Sequence, residues 1–277
     1  MLIIKDIYNL QTYLKAYRNK GYSIGYVPTM GALHEGHGSL IEKSHNDNHK
    51  TIISIFINEK QFNSSEDYKN YPRNRGRDYE FCDQKKVDLV FEPEHDQIYS
   101  QKDNLLENKF YKDILCDISR PNHFNGVITV LNKFFSIIKS DVVYFGEKDY
   151  QQVKIVQSFI EQRFPELRLK VVPTIRSPEG IALSSRNEKL SKKQFDELIS
   201  FNSKVREFMN DLEPNLEIYE ANIKAKKFIN LTRKFDYFEF RNSKDLSFKG
   251  KISGSRLFYA IYVGKVRLID NFNFKEN

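Results

Sequence analysis

The feature that most constrains the fold is an alternation of short apolar runs with longer segments of helical spacing. The apolar runs are rich in β-branched and aromatic residues, and several are apolar at consecutive positions, as in strands that are covered on both faces. They are Ser23–Thr29, Thr51–Asn58, Val87–Pro93, Asp141–Gly146 and Leu167–Ile175. The helical segments are Ile7–Lys20, His37–Asn48, Arg75–Lys86, Gly126–Ile138 and Lys148–Phe164. This succession predicts an α/β domain with a parallel sheet.

The pattern changes near "RSPEG", Arg176–Gly180. Two helical segments follow, and three strands come after them. The segments are Ser191–Asp211, Leu216–Leu231, Phe235–Arg241, Ser255–Val263 and Lys265–Asp270. The last two strands predict a hairpin that turns at Gly264. We therefore expect residues 1–177 to form the parallel α/β domain and residues 178–277 a smaller α+β domain.

The composition is that of a globular protein. The chain has 277 residues, 40% of them hydrophobic, and a formal net charge of +7. This charge suits anionic partners, but 44 basic residues are mixed with 37 acidic ones, so an ordinary lysine-rich surface is the simpler explanation. Cys82 and Cys116 are too few for a disulfide framework and lack metal-ligand spacing. Neither a signal peptide nor a run of about 18 apolar residues occurs, so a soluble, cytoplasmic protein is expected.

The stretch "VPTMGALHEGHGSL" begins in the last residues of the first predicted strand and runs past its carboxyl end, where parallel sheets place their ligands. Gly31 and Gly36 have the spacing of a P-loop, but His37-Gly38 stands where a lysine and a hydroxyl residue are required. His34 and His37 are three residues apart, whereas the zinc-protease motif needs a separation of four. The usual dinucleotide motif, G-x-G-x-x-G, is absent from the sequence.

What remains is a helix start that carries two imidazoles. Such a start offers unpaired N–H groups and a partial positive charge, which attract phosphate. Gly36 would let a phosphate approach the backbone, and His34 and His37 can face the same ligand. A single histidine here would more often be structural, but two that bracket a glycine favour phosphate binding.

The phrase "HEGH" is similar to the H-x-G-H signature of the nucleotidyltransferase superfamily. The longer phrase "VPTMGALHEGH" resembles the opening motif of the pantothenate synthetase (pantoate–β-alanine ligase) family. Four further blocks match that family in order: "SIFINEKQFNSSEDYKNYPR", "RPNHFNGVITVLNKFF", "YFGEKDYQQ" and "PTIRSPEGIALSSRN". The ending "GKVRLIDN" is also similar. The resemblance covers most of the chain, and it implies a Rossmann-like N-terminal domain with a C-terminal lid domain.

The resemblance also implies a reaction. ATP activates the carboxylate of D-pantoate as a pantoyl-adenylate with release of pyrophosphate, and β-alanine then displaces AMP. ATP chemistry of this kind implies Mg²⁺, which is held largely by the phosphates. A homodimer is expected from the family, with no nucleic-acid or membrane partner.

Site residues carry over motif by motif. The catalytic candidates are His34, His37 and Lys148, and His37 corresponds to the family's proton donor, although stabilisation of the leaving phosphates is the physical role we expect. Gln61 and Gln152 match the pantoate-binding glutamines, and Gln61 also matches the β-alanine contact. The expected ATP contacts are Met30, Gly31, Ala32, Leu33, His34, Glu35, Gly36, His37, Gly146, Glu147, Lys148, Asp149, Ile175, Leu183, Ser184, Ser185 and Arg186. The protein ligands of a metal stay open, with Asp78 and Asp149 as candidates.

The chain departs from the family pattern around the site. Glu59-Lys60 precedes Gln61 where a proline and an apolar residue are usual, Gly38 replaces a leucine, and Asn122 replaces a glycine. Two alternatives also remain at this stage. One is another adenylyltransferase of the superfamily that acts on a different substrate, and the other is a non-catalytic RNA-binding protein.

Overall fold

The computed structural model describes residues 1–100, 103–229 and 235–274. The chain divides into two compact units. The first contains residues 1–113, 120–147 and 151–175, and the second contains residues 114–119, 148–150 and the chain from Arg176 onward. Two short pieces from the first two-thirds of the chain therefore cluster with the second unit. The division into domains of 1–177 and 178–277 stays a prediction.

The first unit is built on a six-stranded parallel sheet, as the alternation of strands and helices predicts. Its strands are β1 (Leu2–Ile4), β2 (Ile24–Thr29), β3 (Lys50–Ile55), β4 (Leu89–Phe91), β5 (Val142–Gly146) and β6 (Arg168–Val172). Their spatial order is β1-β4-β3-β2-β5-β6, and each neighbouring pair is parallel. The carboxyl ends of β3, β2 and β5 therefore lie side by side.

Helices connect these strands. They are α1 (Ile7–Asn19), α2 (Glu35–Asp47), α3 (Ser65–Lys69), α4 (Arg75–Gln84), α5 (His95–Ile98), α6 (Cys116–Ser119), α7 (His123–Ile138) and α8 (Tyr150–Arg163). Short 3₁₀ helices occupy Glu59–Gln61 and Glu147–Asp149. Helix α6 and the segment Lys148–Tyr150, which includes most of the second 3₁₀ helix and the first residue of α8, cluster with the second unit, and the other elements belong to the first.

Both faces of the four inner strands, β2 to β5, are covered, which explains their consecutive apolar residues. On one face the ring of Phe134 from α7 lies 6.2 Å from Tyr26 and 6.1 Å from Phe91, measured between ring centroids. On the other face Ile41 of α2 packs with Val27 and other fully buried strand residues. This core holds the strand ends rigidly in place.

The second unit contains an antiparallel sheet and two long helices. Its elements are α9 (Lys192–Asn210), α10 (Ile218–Ile229), β7 (Phe235–Asn242), β8 (Ser255–Val263) and β9 (Val266–Asn273), with 3₁₀ helices at Ser185–Lys189 and Ile252–Gly254. The strand order is β7-β8-β9. The predicted hairpin is present, and Gly264 has the positive φ of 60° that its turn requires. The predicted end of the second helix, at Leu231, lies outside the described residues.

Together the two sheets confirm the expected fold class, a parallel α/β unit followed by a smaller α+β unit. Within the described ranges, every helix is too short or too polar to cross a membrane. A cytoplasmic location stays a prediction.

Candidate active site

Asp78 organises the loop between β2 and α2. Its Oδ2 accepts the backbone N–H of Ala32 at 3.0 Å, and its Oδ1 accepts that of Leu33 at 2.7 Å. The loop needs this support because Gly31 and Ala32 both have positive φ, 80° and 52°. A Cβ on Gly31 would lie 2.9 Å from Asp78 Oδ2, so only glycine leaves room for the carboxylate. Burial raises the pKa of Asp78, although its two backbone hydrogen bonds act in the opposite direction.

The two histidines close the first turn of α2. Nδ1 of His34 accepts the N–H of Gly36 at 3.1 Å, and Nδ1 of His37 accepts the N–H of His34 at 3.3 Å. The two ring centroids are 4.2 Å apart. Because each Nδ1 accepts a hydrogen bond, the proton of each neutral ring lies on Nε2. The backbone therefore sets both imidazoles as Nε2–H donors at a helix N-terminus.

Gln61 lies at the end of the 3₁₀ helix that follows β3. Its Oε1 accepts a hydrogen bond from Nδ2 of Asn58 at 2.9 Å, and its Nε2 lies 3.1 Å from Sδ of Met30. Asn58 is 1% exposed, and its Oδ1 accepts from the hydroxyl of Tyr99 at 2.9 Å. The glutamine and the histidine-bearing loop therefore meet at the carboxyl ends of β2 and β3.

The backbone of Gln61 is held from α7 and the residues before it. Its carbonyl accepts from Nδ1–H of His123 at 2.7 Å and from Nη2 of Arg120 at 3.3 Å. Gly126 lies so close that a Cβ there would overlap the backbone of Lys60 and Gln61. The block "RPNHFNG" thus acts as a clamp on the turn that presents Gln61.

The chain after β5 carries the next group of predicted residues. Gly146 ends the strand, and Glu147, Lys148 and Asp149 form a 3₁₀ helix. Nζ of Lys148 lies 4.0 Å from Oδ1 of Asp149. Lys148 and Asp149 cluster with the second unit, whereas Gln152 belongs to the first.

The predicted second phosphate loop lies in the second unit. Oγ of Ser184 accepts the N–H of Arg186 at 3.3 Å and begins the 3₁₀ helix Ser185–Lys189. Nδ2 of Asn187 donates to the carbonyl of Ala182 at 3.0 Å, which fixes the loop from within. Leu183, Ser185 and Arg186 are partly exposed, as a binding loop requires. Ile175, the remaining predicted ATP contact, is 36% exposed at the end of the first unit.

Comparison with known proteins decides what this arrangement belongs to. Residues 2–273 match the family model described as pantoate-beta-alanine ligase. The chain belongs to this family. Its activity is accordingly the ATP-dependent ligation of pantoate and β-alanine, and the two alternatives left open by the sequence give way to it.

The similarity to known ligases extends over the full length of the chain. A pantothenate synthetase of Clostridium botulinum (strain Kyoto / Type A2) is 41% identical over 99% of this chain and 100% of its own length. A pantothenate synthetase structure from Thermus thermophilus has a TM-score of 0.90 at 28% identity, with 100% of both chains covered. A pantoate-beta-alanine ligase from Francisella tularensis, complexed with beta-gamma ATP and beta-alanine, has a TM-score of 0.81 at 35% identity, with 100% of this chain and 99% of its own covered.

The departures from the family pattern are accommodated locally in this ligase. Lys60 donates to the carbonyl of Asp103 at 3.1 Å and lies 4.3 Å above the ring of Tyr99, so the turn before Gln61 is anchored rather than loosened. Asn122 adopts the left-handed conformation (φ 64°), which asparagine tolerates better than most residues. Ser64 caps the short helix α3 in the segment "FNSSEDYK".

The described residues of the ligase supply no cage for a metal ion. Residues 1–100, 103–229 and 235–274 contain no group of three His, Cys, Asp or Glu side chains that could hold one. Both oxygens of Asp78 already accept backbone N–H groups, so this candidate serves the loop instead. Asp149 is 47% exposed and by itself does not form a site. The described residues therefore offer no cage for Mg²⁺ that is built from protein side chains alone.

Several supporting residues were missed at the sequence level. Asn58, Asp78, Arg120, His123 and Gly126 hold the predicted site residues, yet the motifs assign none of them this role. A signal was present for all but Asp78, because Asn58 is the last residue of the apolar run Thr51–Asn58 and the other three lie in one matched block.

Proposed function

We propose that the ligase works in two steps through an adenylate. In the first step a carboxylate oxygen of pantoate forms a bond to the α-phosphorus of ATP, and the bond to pyrophosphate breaks. In the second step the amine of β-alanine attacks the acyl carbon, AMP leaves with the bonding electrons, and the amine proton passes to solvent. The ligands of the Francisella tularensis relative, beta-gamma ATP and beta-alanine, support ATP and β-alanine as substrates here.

The observation that carries this proposal is the pair of backbone hydrogen bonds that the two imidazoles accept. Both Nδ1 atoms of His34 and His37 accept backbone N–H groups, which leaves two Nε2–H donors at the positive end of α2. Preorganised donors of this kind stabilise charge that develops on phosphate oxygens in the transition state. His37 then acts as a hydrogen-bond donor to the leaving phosphates, and no proton transfer from it is required.

We assign the acid substrate to Gln61 and Gln152. A carboxamide offers both a donor and an acceptor, so it can bind the hydroxyl and carboxylate groups of pantoate without neutralising the nucleophile. The bond from Asn58 to Oε1 fixes which end of the Gln61 amide donates. Gln61 also serves β-alanine in this proposal.

The remaining predicted residues serve the nucleotide. Lys148 supplies a mobile point charge and Arg186 a planar fork for phosphate oxygens. Ser184 and Ser185 add hydroxyl donors. The other contacts are Met30, Gly31, Ala32, Leu33, Glu35, Gly36, Gly146, Glu147, Asp149, Ile175 and Leu183, mostly through their backbones.

Mg²⁺ enters as part of the substrate, bound to the phosphates of ATP, because that cation keeps several of its waters and few protein ligands.

The homodimer expected from the family is part of the proposal too. The outer strands support association, since Ile3 on β1 and Val171 on β6 are 43% and 44% exposed. Sedimentation equilibrium should give about twice the chain mass of 32.8 kDa, and a mass that stays at one chain would contradict the dimer.

The experiment that tests the two-step route is isotope exchange. The purified protein is incubated with ATP, Mg²⁺, D-pantoate and labelled pyrophosphate in the absence of β-alanine. Label should enter ATP, and it should not do so when pantoate is left out. Addition of β-alanine should then give AMP and the amide. Amide formation without any exchange, or exchange without pantoate, would overturn the adenylate route.

A further inference from the structure

Asn271 of β9 contacts the backbone of Lys148. Its Nδ2 donates to the Lys148 carbonyl at 2.8 Å, and the asparagine is 2% exposed. We propose that Asn271, supported by Arg256, is a positioning residue that fixes the peptide from which the Lys148 ammonium is presented. The inference rests on the phosphate-binding role proposed above for Lys148. This role also accounts for the asparagine in the segment "LIDN", Leu268–Asn271.

Asn271 is itself held by charged groups on its neighbours. Its side-chain Oδ1 accepts from Nη1 of Arg256, which is 6% exposed on the neighbouring strand β8. Its backbone N–H donates to Oδ1 of Asp270 at 2.8 Å, and its carbonyl accepts from Nη2 of Arg176 at 3.0 Å. Arg176 in turn binds both oxygens of Asp270, at 2.7 and 3.0 Å. Because the acceptor end of the amide faces a guanidinium, the donor end must face Lys148.

Arg256 also holds the other end of the same short segment. Its guanidinium carbon lies 4.2 Å from the centroid of the Tyr150 ring, and the Tyr150 hydroxyl donates to the carbonyl of Ser243 at 2.9 Å. The rings of Tyr150 and Phe258 are 5.9 Å apart. Both ends of Lys148–Tyr150 are therefore fixed to the C-terminal strands, and this is why the segment clusters with the second unit.

Fixing the peptide sets the point from which the flexible Lys148 side chain reaches out. The ammonium sits on four flexible carbons, so a shift of the backbone adds to the freedom the side chain already has. A misplacement of about 1 Å at a reacting centre can cost about 10²-fold in rate. If Asn271 acts through Lys148, its removal should lower turnover and leave the binding of pantoate almost unchanged.

The test is the substitution Asn271→Asp. An aspartate keeps an oxygen for Arg256 but places a second oxygen against the Lys148 carbonyl in place of the N–H. We expect kcat to fall about 10- to 100-fold while KM for pantoate changes less than about threefold. Asn273→Asp is the matched control, since it makes the same change two residues along β9 at an exposed position. It should retain wild-type kcat.

A double-variant cycle separates positioning from a merely structural role. In the Lys148→Ala background, Asn271→Asp should lower kcat by less than about twofold, because the group it positions is gone. Effects that multiply in the double variant would overturn the inference. If Asn271→Asp unfolds below the assay temperature, Arg256→Lys enters the same cycle with the same expectation, since it keeps the charge and loses the guanidinium fork.

The cycle also distinguishes the two claims. Wild-type turnover in Lys148→Ala would overturn the proposed role of the lysine, and the positioning inference with it. The positioning inference alone would be overturned if kcat fell strongly in Lys148→Ala but stayed within about twofold of wild type in Asn271→Asp.

Discussion

Asp78 accepts hydrogen bonds from the backbone of Ala32 and Leu33 with both carboxylate oxygens, which makes it a structural partner of the histidine loop. An ionised carboxylate is costly to bury, and this cost is the physical cause of its raised pKa. The protein tolerates the cost because the loop contains two residues with positive φ that the hydrogen bonds hold in place. The role has a consequence for activity and another for the pH dependence of stability.

We predict that Asp78→Asn lowers kcat/KM for ATP at least about tenfold, because Nδ2 of the amide faces one of the two N–H donors.

The pH dependence of the free energy of unfolding has a definite sign. The folded-state pKa of Asp78 lies above its ordinary value of 3.8. Burial of the ionised carboxylate therefore lowers the free energy of unfolding, and this loss is complete above the folded-state pKa. It disappears as the pH falls towards 3.8. The free energy of unfolding of the wild type, minus that of Asp78→Asn, should therefore rise on acidification.

Urea unfolding of both proteins between about pH 4 and pH 7 measures this difference. A difference that is independent of pH, or that falls on acidification, would show that burial of the Asp78 carboxylate carries no such cost.

Gly126 supports the turn that carries Gln61. A Cβ at this position would meet the backbone of Lys60 and Gln61, which cannot move aside as a flexible side chain could. We predict that Gly126→Ala lowers the free energy of unfolding by about 1–3 kcal/mol and raises KM for pantoate, because the turn that carries Gln61 is displaced. Gly254→Ala is the control, since nothing lies within 4 Å of its added Cβ. An alanine at 126 that left both quantities unchanged would refute the clamp.

At the scale of elements, the apolar runs predicted the long strands and helices well. Strand β8 was predicted with its observed bounds, and β2 and β5 within one residue. Strand β1 was missed because it has only three residues, and two of them are exposed, so it carries no alternation and no buried run. The short helix α3 was missed for a related reason, since five residues held by the Ser64 cap contain no apolar period.

Helix α2 shows how a departure from the family pattern can be tested at this scale. Gly38 lies in its first turns, where alanine would favour the helix by about 0.8–1 kcal/mol. An added Cβ would approach Oε2 of Glu35 and the end of the Lys85 side chain, which are mobile atoms at the ends of long chains. We predict that Gly38→Ala raises the free energy of unfolding by up to about 1 kcal/mol with unchanged turnover.

Thermal and denaturant unfolding measure this effect. Gly25→Ala is the contrasting variant, because its Cβ would overlap Oγ of Ser44 and approach Nδ2 of Asn48 in the interior beside the sheet. It should destabilise the protein. A Gly38→Ala variant that is less stable than wild type would mean that the side chains of Lys85 and Glu35 cannot move away from the added methyl group.

At the scale of the whole molecule, the site depends on sheet order and on contacts between distant parts of the sequence. The sequence predicted which strands exist, and the motifs after β2, β3 and β5 indicated which strand ends matter. Local patterns do not encode partners such as Asp78 and Leu33, which are 45 positions apart, or Asn271 and Lys148, which are 123 apart. The predicted residues were therefore those expected to touch the substrates, and the residues that hold them became visible only in the fold.

The proposed mechanism depends above all on the two Nε2–H donors at the start of α2. The most direct measurement is a rapid-quench time course of pantoyl-adenylate formation under single-turnover conditions, for wild type, His37→Ala and the exposed control His49→Ala. We predict that the rate constant for adenylate formation falls about 10²- to 10³-fold in His37→Ala, whereas the following reaction with β-alanine changes less than about threefold and His49→Ala matches wild type. Adenylate formation in His37→Ala within about threefold of wild type would contradict the assignment.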